Sequence, residues 1–242
     1  MKKASVSRLH SVIPAHTPVK PRKMPVQSRS TETVRAIKQA TIQVLLEMGV
    51  GRLTTTRVAR RAGVSVGTLY QYYPNKNALL HAVITEHLGF IAAAMERACA
   101  ASHGCSVGQM ARTATLAFID AKLRTARQSV ALYAAAEAGD ALTILASMRK
   151  RVAAALVEML RSAPGVRFPD LETTVLVYYT AMAGTMREVL EAGASTALVE
   201  ATRRELLLLA EGHLTRACGL VETANEQIRQ DNWLATATGG YS

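Results

Sequence analysis

The chain has 242 residues, enough for one or two domains with a real core, so it needs neither disulfides nor metal to fold. Hydrophobic residues make up 49% of it, with Ala and Leu recurring throughout, a composition that favours an all-helical soluble protein. The net charge of +11 is concentrated at the amino end, where no apolar run follows that could form the core of a secretory signal.

Residues 1–80 carry fourteen Lys or Arg against Glu32 and Glu47, a balance of +12, whereas residues 81–242 carry fifteen basic and sixteen acidic groups, a balance of −1. A field confined to one third of the chain points to a polyanionic partner docking there. No stretch of roughly eighteen uncharged apolar residues exists, so no membrane span is expected. Cys99, Cys105 and Cys218 form an odd set without paired spacing, which suits free thiols in a reducing cytoplasm.

Residues 1–29 hold Pro14, Pro18, Pro21 and Pro25, seven basic groups and no acid, and read as a disordered basic arm. Such an arm is either a solubilising tail or a segment that tracks DNA phosphates or enters a minor groove. From Ser30 a helical period begins. Ile37, Ala40, Thr41, Val44, Leu45 and Met48 share one face, Ser30 or Thr31 is placed to cap the helix, Glu32 suits its first turn, and Gly49 and Gly51 end it.

The next stretch, TTTRVARRAGVSVGTLYQYY, divides into two short helices and a tight turn. Thr55 or Thr56 caps the first, which runs to Ala62 with Val58, Ala59 and Ala62 inward; the small Ala59 lets two helices cross closely. Gly63 supplies the positive φ of a sharp turn, and Val64 plugs the corner. Ser65 caps the second helix, with Leu69 and Tyr73 inward. Leu53, Val58, Ala59, Val64 and Leu69 are therefore assigned to the core. This is the sequence form of a helix-turn-helix, whose second helix enters the major groove. Its outward set, Val66, Gly67, Thr68, Tyr70, Gln71 and Tyr72, fits that role. Hydroxyls and helix-start N–H groups bind phosphates, Lys76 adds charge, Gln71 pairs with adenine edges, and Tyr70 or Val66 lies against thymine methyls.

A long helix is predicted from Lys76 to about Ala101, capped by Asn75 behind Pro74, with Leu79, Leu80, Val83, Ile84 and Leu88 inward. After Ser102, Gly104 and Gly108, helices follow over about 107–127, 128–138 and 140–162. Pro164, Gly165 and Pro169 then mark a break, and two long helices over about 170–192 and 196–217 flank Gly193. No alternating strand pattern and no internal repeat is present, so every ordered element is expected to be helical.

The run GVGRLTTTRVARRAGVSVGTLYQYYPNKNALL resembles the DNA-binding domain of the TetR (AcrR-type) transcriptional regulators, over roughly residues 31–85. Tyr73 stands where that family often has Phe. The resemblance implies an all-α protein with four parts. These are the basic arm (1–29), a three-helix helix-turn-helix DNA-binding domain (30–76), a helical ligand-binding and dimerisation domain (77–218) and a C-terminal tail (219–242). It places Thr56, Val66, Gly67, Tyr70 and Gln71 near bases and Thr55, Thr68, Tyr72 and Lys76 on phosphates. Among Arg57, Arg60 and Arg61, at least one is expected to belong to a solvated helix face.

The same resemblance implies a homodimer through the last two long helices, over about 170–192 and 196–217, bound to a palindromic operator of double-stranded DNA. The sequence allows it independently. Leu171, Val175, Tyr178, Met182, Met186 and Val189 form one stripe, Val177, Ala181 and Gly184 a second, and Leu198, Leu206, Leu207, Leu209, Ala210 and Leu214 behave similarly on the last helix. A helix apolar on two sides must be covered twice. Relatives of this kind hold a small-molecule effector among the middle helices. Candidate lining groups are Met95, Met110, Phe118, Tyr133, Met148, Tyr178, Tyr179 and Met182, the same residues that would otherwise be core filler. With few buried charges expected, an apolar or weakly polar effector is favoured.

The expected function is that of a repressor released from its operator by a ligand, in the bacterial cytosol. Three rivals stand beside it. CAASHGC brings Cys99, His103 and Cys105 to a helix end, as a thiol or metal sensor would, but lacks a second pair. A basic nucleoid-binding protein would share the charge but bind any sequence. An enzyme would need a nucleophile elbow, a phosphate loop or a nucleotide fingerprint; none is present, and no catalytic residue, metal ligand set or cofactor is expected.

Overall fold

The computed structural model describes residues 28–137 and 141–220. The predicted arm, apart from Ser28 and Arg29, and the tail from residue 221 onward lie outside the described residues. Nine α-helices are present among those described: α1 (Ser28–Met48), α2 (Thr55–Ala62), α3 (Val66–Tyr72), α4 (Lys76–Ala101), α5 (Val107–Arg124), α6 (Ala126–Glu137), α7 (Leu142–Arg161), α8 (Leu171–Glu191) and α9 (Thr196–Ala217).

Local chemistry fixes most of these ends. Asn75, Ser106, Asp170 and Ser195 each accept a hydrogen bond from a backbone N–H of the first turn that follows, satisfying a donor that the helix cannot pair internally. At Ser106 the bond is reciprocal, because Gln109 Oε1 accepts from the Ser106 N–H at 3.2 Å. Helix α1 starts at Ser28, earlier than expected, so Ser30 and Thr31 lie inside its first turn and are not its caps. Gly49, at φ 75°, ends it.

Two apolar cores are stacked along α4. The first joins Ile37, Val44 and Leu45 of α1 with Leu53, Val58, Ala59 and Leu69, and with Leu79, Leu80, Val83 and Ile84 of α4. It does not stop at the helix-turn-helix: Leu132 and Ala135 of α6 and Ile144 of α7 belong to it. The second core begins at Ile91 and gathers α5, α7, α8 and α9 around Met95, Phe118, Leu156, Tyr178 and Met182. By length and composition α4 is apolar enough to cross a membrane, but Leu79, Leu80, Val83, Ile84, Ile91, Ala92 and Met95 are buried in the two cores, while Phe90 is exposed.

Two short elements are not helical. Val166–Arg167 (β1) pairs antiparallel with Gly219–Leu220 (β2), tying the start of the predicted tail to the turn before α8. Strands of two residues are too short to carry an alternating pattern, so periodicity does not reveal them.

Candidate nucleic-acid interface and central cavity

The interface begins with the threonines. Thr54, in extended backbone, caps α2 by accepting from the Arg57 N–H at 3.3 Å, in place of the expected Thr55 or Thr56. The shift by one residue has a consequence: Thr55 and Thr56 become the first turn of α2 and are released from capping. Thr56 is exposed, while Thr55 shares a hydrogen bond of 3.1 Å with the Tyr70 hydroxyl, linking α2 to α3.

Gly63 sits at φ 69° and closes α2, and the Val64 N–H reaches back to the Ala59 carbonyl at 3.0 Å. This corner turns the chain so that Leu69 is fully buried and Tyr73 nearly so, which leaves the opposite side of α3 outward. There Tyr70 is 48% exposed and Tyr72 36%, with Gln71 and Gly67 also open. Val66 is partly buried against the first core. Ser65 caps α3, its oxygen accepting from the Thr68 N–H at 2.9 Å and lying 2.8 Å from the Thr68 hydroxyl. Lys76 is exposed at the start of α4.

The three arginines of α2 separate cleanly. Arg61 makes a two-pronged ion pair with Glu47 of α1, and Arg57 donates to the Arg52 carbonyl at 2.7 Å. Both therefore brace α2 against what precedes it. Arg60 is exposed, and its guanidinium has no hydrogen-bond or ion-pair partner among the described residues.

Above the second core lies a cavity of about 410 Å3, walled by α4, α5, α6, α7 and α8. Of the predicted lining residues, Phe118, Tyr133, Met148 and Tyr179 line it. Met95, Met110, Tyr178 and Met182 do not: all four are fully buried in the second core, where the Tyr178 hydroxyl is satisfied by Thr115 Oγ1 at 2.8 Å. A different cavity of about 470 Å3, between the start of α4 and α6–α7, is lined by none of the predicted residues.

The first cavity is less neutral than expected. Lys122 lines it, is 6% exposed, and donates from Nζ to the Tyr133 hydroxyl at 2.6 Å. Its ammonium faces the Tyr133 and Phe118 rings at 4.9 and 5.7 Å. Burial, and then the nearby Arg187 charge, lowers this lysine to about 8. Arg187 also borders the cavity, lies over the Tyr133 ring at 5.2 Å, and is paired with both Glu137 and Glu191. Burial pushes the Tyr133 phenol up to about 12.

Cys99 is buried in the second core, where burial pushes its thiol up to about 12, so it is not a ready thiolate. His103 is exposed and Cys105 half-buried, and among the described residues no three His, Cys, Asp or Glu side chains are placed to share an ion. The sensor arrangement read from CAASHGC therefore has no geometry here.

Two family descriptions match this chain in series: "Bacterial regulatory proteins, tetR family" over residues 37–83, and "Tetracyclin repressor-like, C-terminal domain" over residues 106–214. The chain belongs to the TetR family. Members of the TetR family bind DNA, regulate transcription and typically dimerise.

Similarity to curated relatives is confined to short segments. The nucleoid occlusion factor SlmA of Haemophilus ducreyi is 39% identical over 65 residues, 25% of this chain and 32% of that protein. An uncharacterized HTH-type transcriptional regulator of Mycobacterium tuberculosis is 36% identical over 62 residues, 26% of this chain and 32% of that one. The chain thus matches about a third of the length of these relatives. Among solved TetR structures, a regulator from Mesorhizobium loti aligns at TM-score 0.61 and 18% identity, over 80% of this chain and 100% of that one. One from Rhodococcus RHA1 aligns at 0.60 and 18%, over 78% and 98%. Both likenesses concern the fold.

Sequence reasoning missed Lys122 and Arg187 as cavity residues. Lys122 does carry a signal, since it falls one turn after Phe118 on the buried stripe of α5 and so points inward with it. Arg187 carries no such mark, because it is placed by the packing of α8 beside α6.

Proposed function

We propose that this TetR-family chain is a cytosolic, ligand-responsive regulator of transcription. In this reading it acts as a homodimer on a palindromic operator and as a repressor released when a small molecule occupies the cavity above the second core. The observation that carries the reading is the outer face of α3. Gly67, Tyr70, Gln71 and Tyr72 are turned outward by the Ala-Gly-Val corner, and all four remain exposed among the described residues.

Within that face, Thr56, Val66, Gly67, Tyr70 and Gln71 approach base edges, and Thr55, Thr68, Tyr72, Lys76 and the unpaired Arg60 meet phosphates. The coupling of Tyr70 to Thr55 supports a shared position at the groove edge, where one tyrosine serves both α2 and α3. Dimerisation through α8 and α9 sets two such faces about one DNA turn, ~34 to 36 Å, apart. A ligand need bias the DNA-competent state by only ~1 to 3 kcal/mol to release it.

Footprinting on the DNA flanking its own gene supplies the operator and the first test. Against that operator, Lys76→Ala and Tyr72→Phe weaken binding to all duplexes alike, and Lys76→Ala lowers the salt dependence by about one counterion. Gln71→Ala instead changes which base pairs are preferred, removing about 1 to 3 kcal/mol of discrimination at the base that Gln71 reads. Identical effects of both kinds on every duplex, or equal affinity for random DNA, would overturn the assignment.

A further inference from the structure

We infer that the ligand of the central cavity is an amphipathic monocarboxylate, with its hydrocarbon body among α4, α7 and α8 and its carboxylate on Lys122 and the Tyr133 hydroxyl. This rests on the reading of the cavity as the effector chamber and narrows it to a chemical class.

The charge in the cavity wall is unbalanced. Lys122 is a buried amine with no carboxylate partner among the described residues, whose single hydrogen bond runs to a phenol. An ammonium has three donors, so two remain without an acceptor. Buried charges are normally paired, because desolvation is costly without a counter-charge. The aromatic rings of Phe118 and Tyr133 compensate in part. The charged group that acts on Lys122 electrostatically is another cation, Arg187, which makes the site more hungry for an anion. Arg187 is itself matched by Glu137 and Glu191, so neither acid serves Lys122.

The rest of the wall sets the body of the ligand. Leu88, Ile91, Leu145, Met148, Val152 and Ala183 present hydrocarbon, and the volume of about 410 Å3 falls in the range of small-molecule sites. Glu137 also lines the cavity, but its carboxylate is paired with Arg187, which leaves Lys122 as the cation without a counter-charge; with the apolar wall, this describes a molecule with one anionic head and an otherwise apolar frame. A neutral ligand would leave the ammonium as it is, and a cationic one would face both Lys122 and Arg187.

Calorimetric titration of the full-length protein with two matched sets tests this: decanoate, decanol and decylamine, and naphthoate with naphthol. The expected result is an affinity for the acid at least about ten-fold above that of the alcohol in one set or both, with decylamine weakest. In Lys122→Met that preference disappears while alcohol affinity is kept, and the variant melts no lower than the parent, because an unmatched buried charge has been removed.

A second measurement needs no variant. In the free protein Lys122 loses its proton at about 8, whereas decanoate stays ionised and Arg187 stays charged. Tyr133 keeps its proton until about 12, and the His87 imidazole is already neutral at neutral pH. Affinity for the acid, and not for the alcohol, therefore falls as pH rises past about 8. Equal binding of acid and alcohol by the parent, or an acid preference that survives in Lys122→Met, overturns the carboxylate inference while leaving the chamber standing. Failure of every compound in both sets to bind sinks the chamber reading along with it.

Discussion

Gly67 shows most directly what single residues contribute. It lies inside α3, where glycine costs about 1 kcal/mol of helix stability relative to alanine. Its backbone does not require it, since its φ is not among the positive ones, and neither does packing: a Cβ added there would come no closer than 3.7 Å to the Ser65 hydroxyl. In the proposed complex, the missing side chain leaves room for the duplex to approach the start of α3 closely. Gly67→Ala is thus expected to leave the melting temperature unchanged or raise it, while operator affinity falls by at least about ten-fold. Thermal melts and a gel-shift titration on one preparation check both halves, and an alanine variant that binds normally would remove Gly67 from the interface. Arg60 and Arg61 teach the same lesson, as adjacent arginines with opposite employment: one is spent on Glu47 and the other is left to solvent or phosphate.

At the level of elements, α4 and α6 are joined by a buried polar contact. His87 Nε2 lies 3.0 Å from Ser129 Oγ, and burial, reinforced by the Lys122 charge, lowers the imidazole from 6.5 to about 4. The unfolded chain therefore binds more protons than the folded one between those limits, so stability falls as pH drops from about 6.5 to about 4, by up to about 3 kcal/mol. Urea titrations across that range should show the loss in the parent and its absence in His87→Gln; parallel slopes would count against it. Neither partner of this contact was legible as such in the sequence, because the pairing spans 42 residues and depends on how α6 settles on α4. The Ala-Gly-Val corner, by contrast, was readable, since its caps, its φ and its buried Leu69 all arise within a dozen neighbouring residues. The threonine cap was missed by one position because Thr54, Thr55 and Thr56 are chemically equivalent, and only backbone conformation distinguishes them. The same locality rule separates Phe118 and Tyr133, which reach the cavity, from Met110 and Met182, which fill the core: period fixes a face, but not what that face meets.

For the whole molecule, the second faces of α8 and α9 are left uncovered by the described residues. Leu176 and Leu208 are 51% and 67% exposed, with Val177, Leu198 and Leu209 also exposed, whereas Val175, Tyr178, Leu206 and Ala210 of the same helices are buried. Leu176 and Leu208 extend the apolar stripes that the sequence indicates. Under the proposed dimer, Leu208→Arg leaves the protomer folded, weakens self-association by at least roughly 30-fold, the mark of a hot spot, and weakens operator binding with it. Sedimentation equilibrium and a melt on the same sample measure this, and an undisturbed dimer would move the interface elsewhere. The continuity of α4 carries a last consequence. Its 26 residues form one unbroken rod of roughly 39 Å, with Lys76 at the end joined to α3 through Tyr73, Pro74 and Asn75, and Leu88, Ile91 and Ala92 against the cavity. The span from Ile91 to Lys76 is then a lever arm of about 22 Å, and a tilt of ~5° at the cavity carries its far end through ~2 Å. Under the proposed dimer and effector chamber, such a displacement in each protomer would change the separation of the two reading helices by an amount set by the tilt of α4 at the cavity.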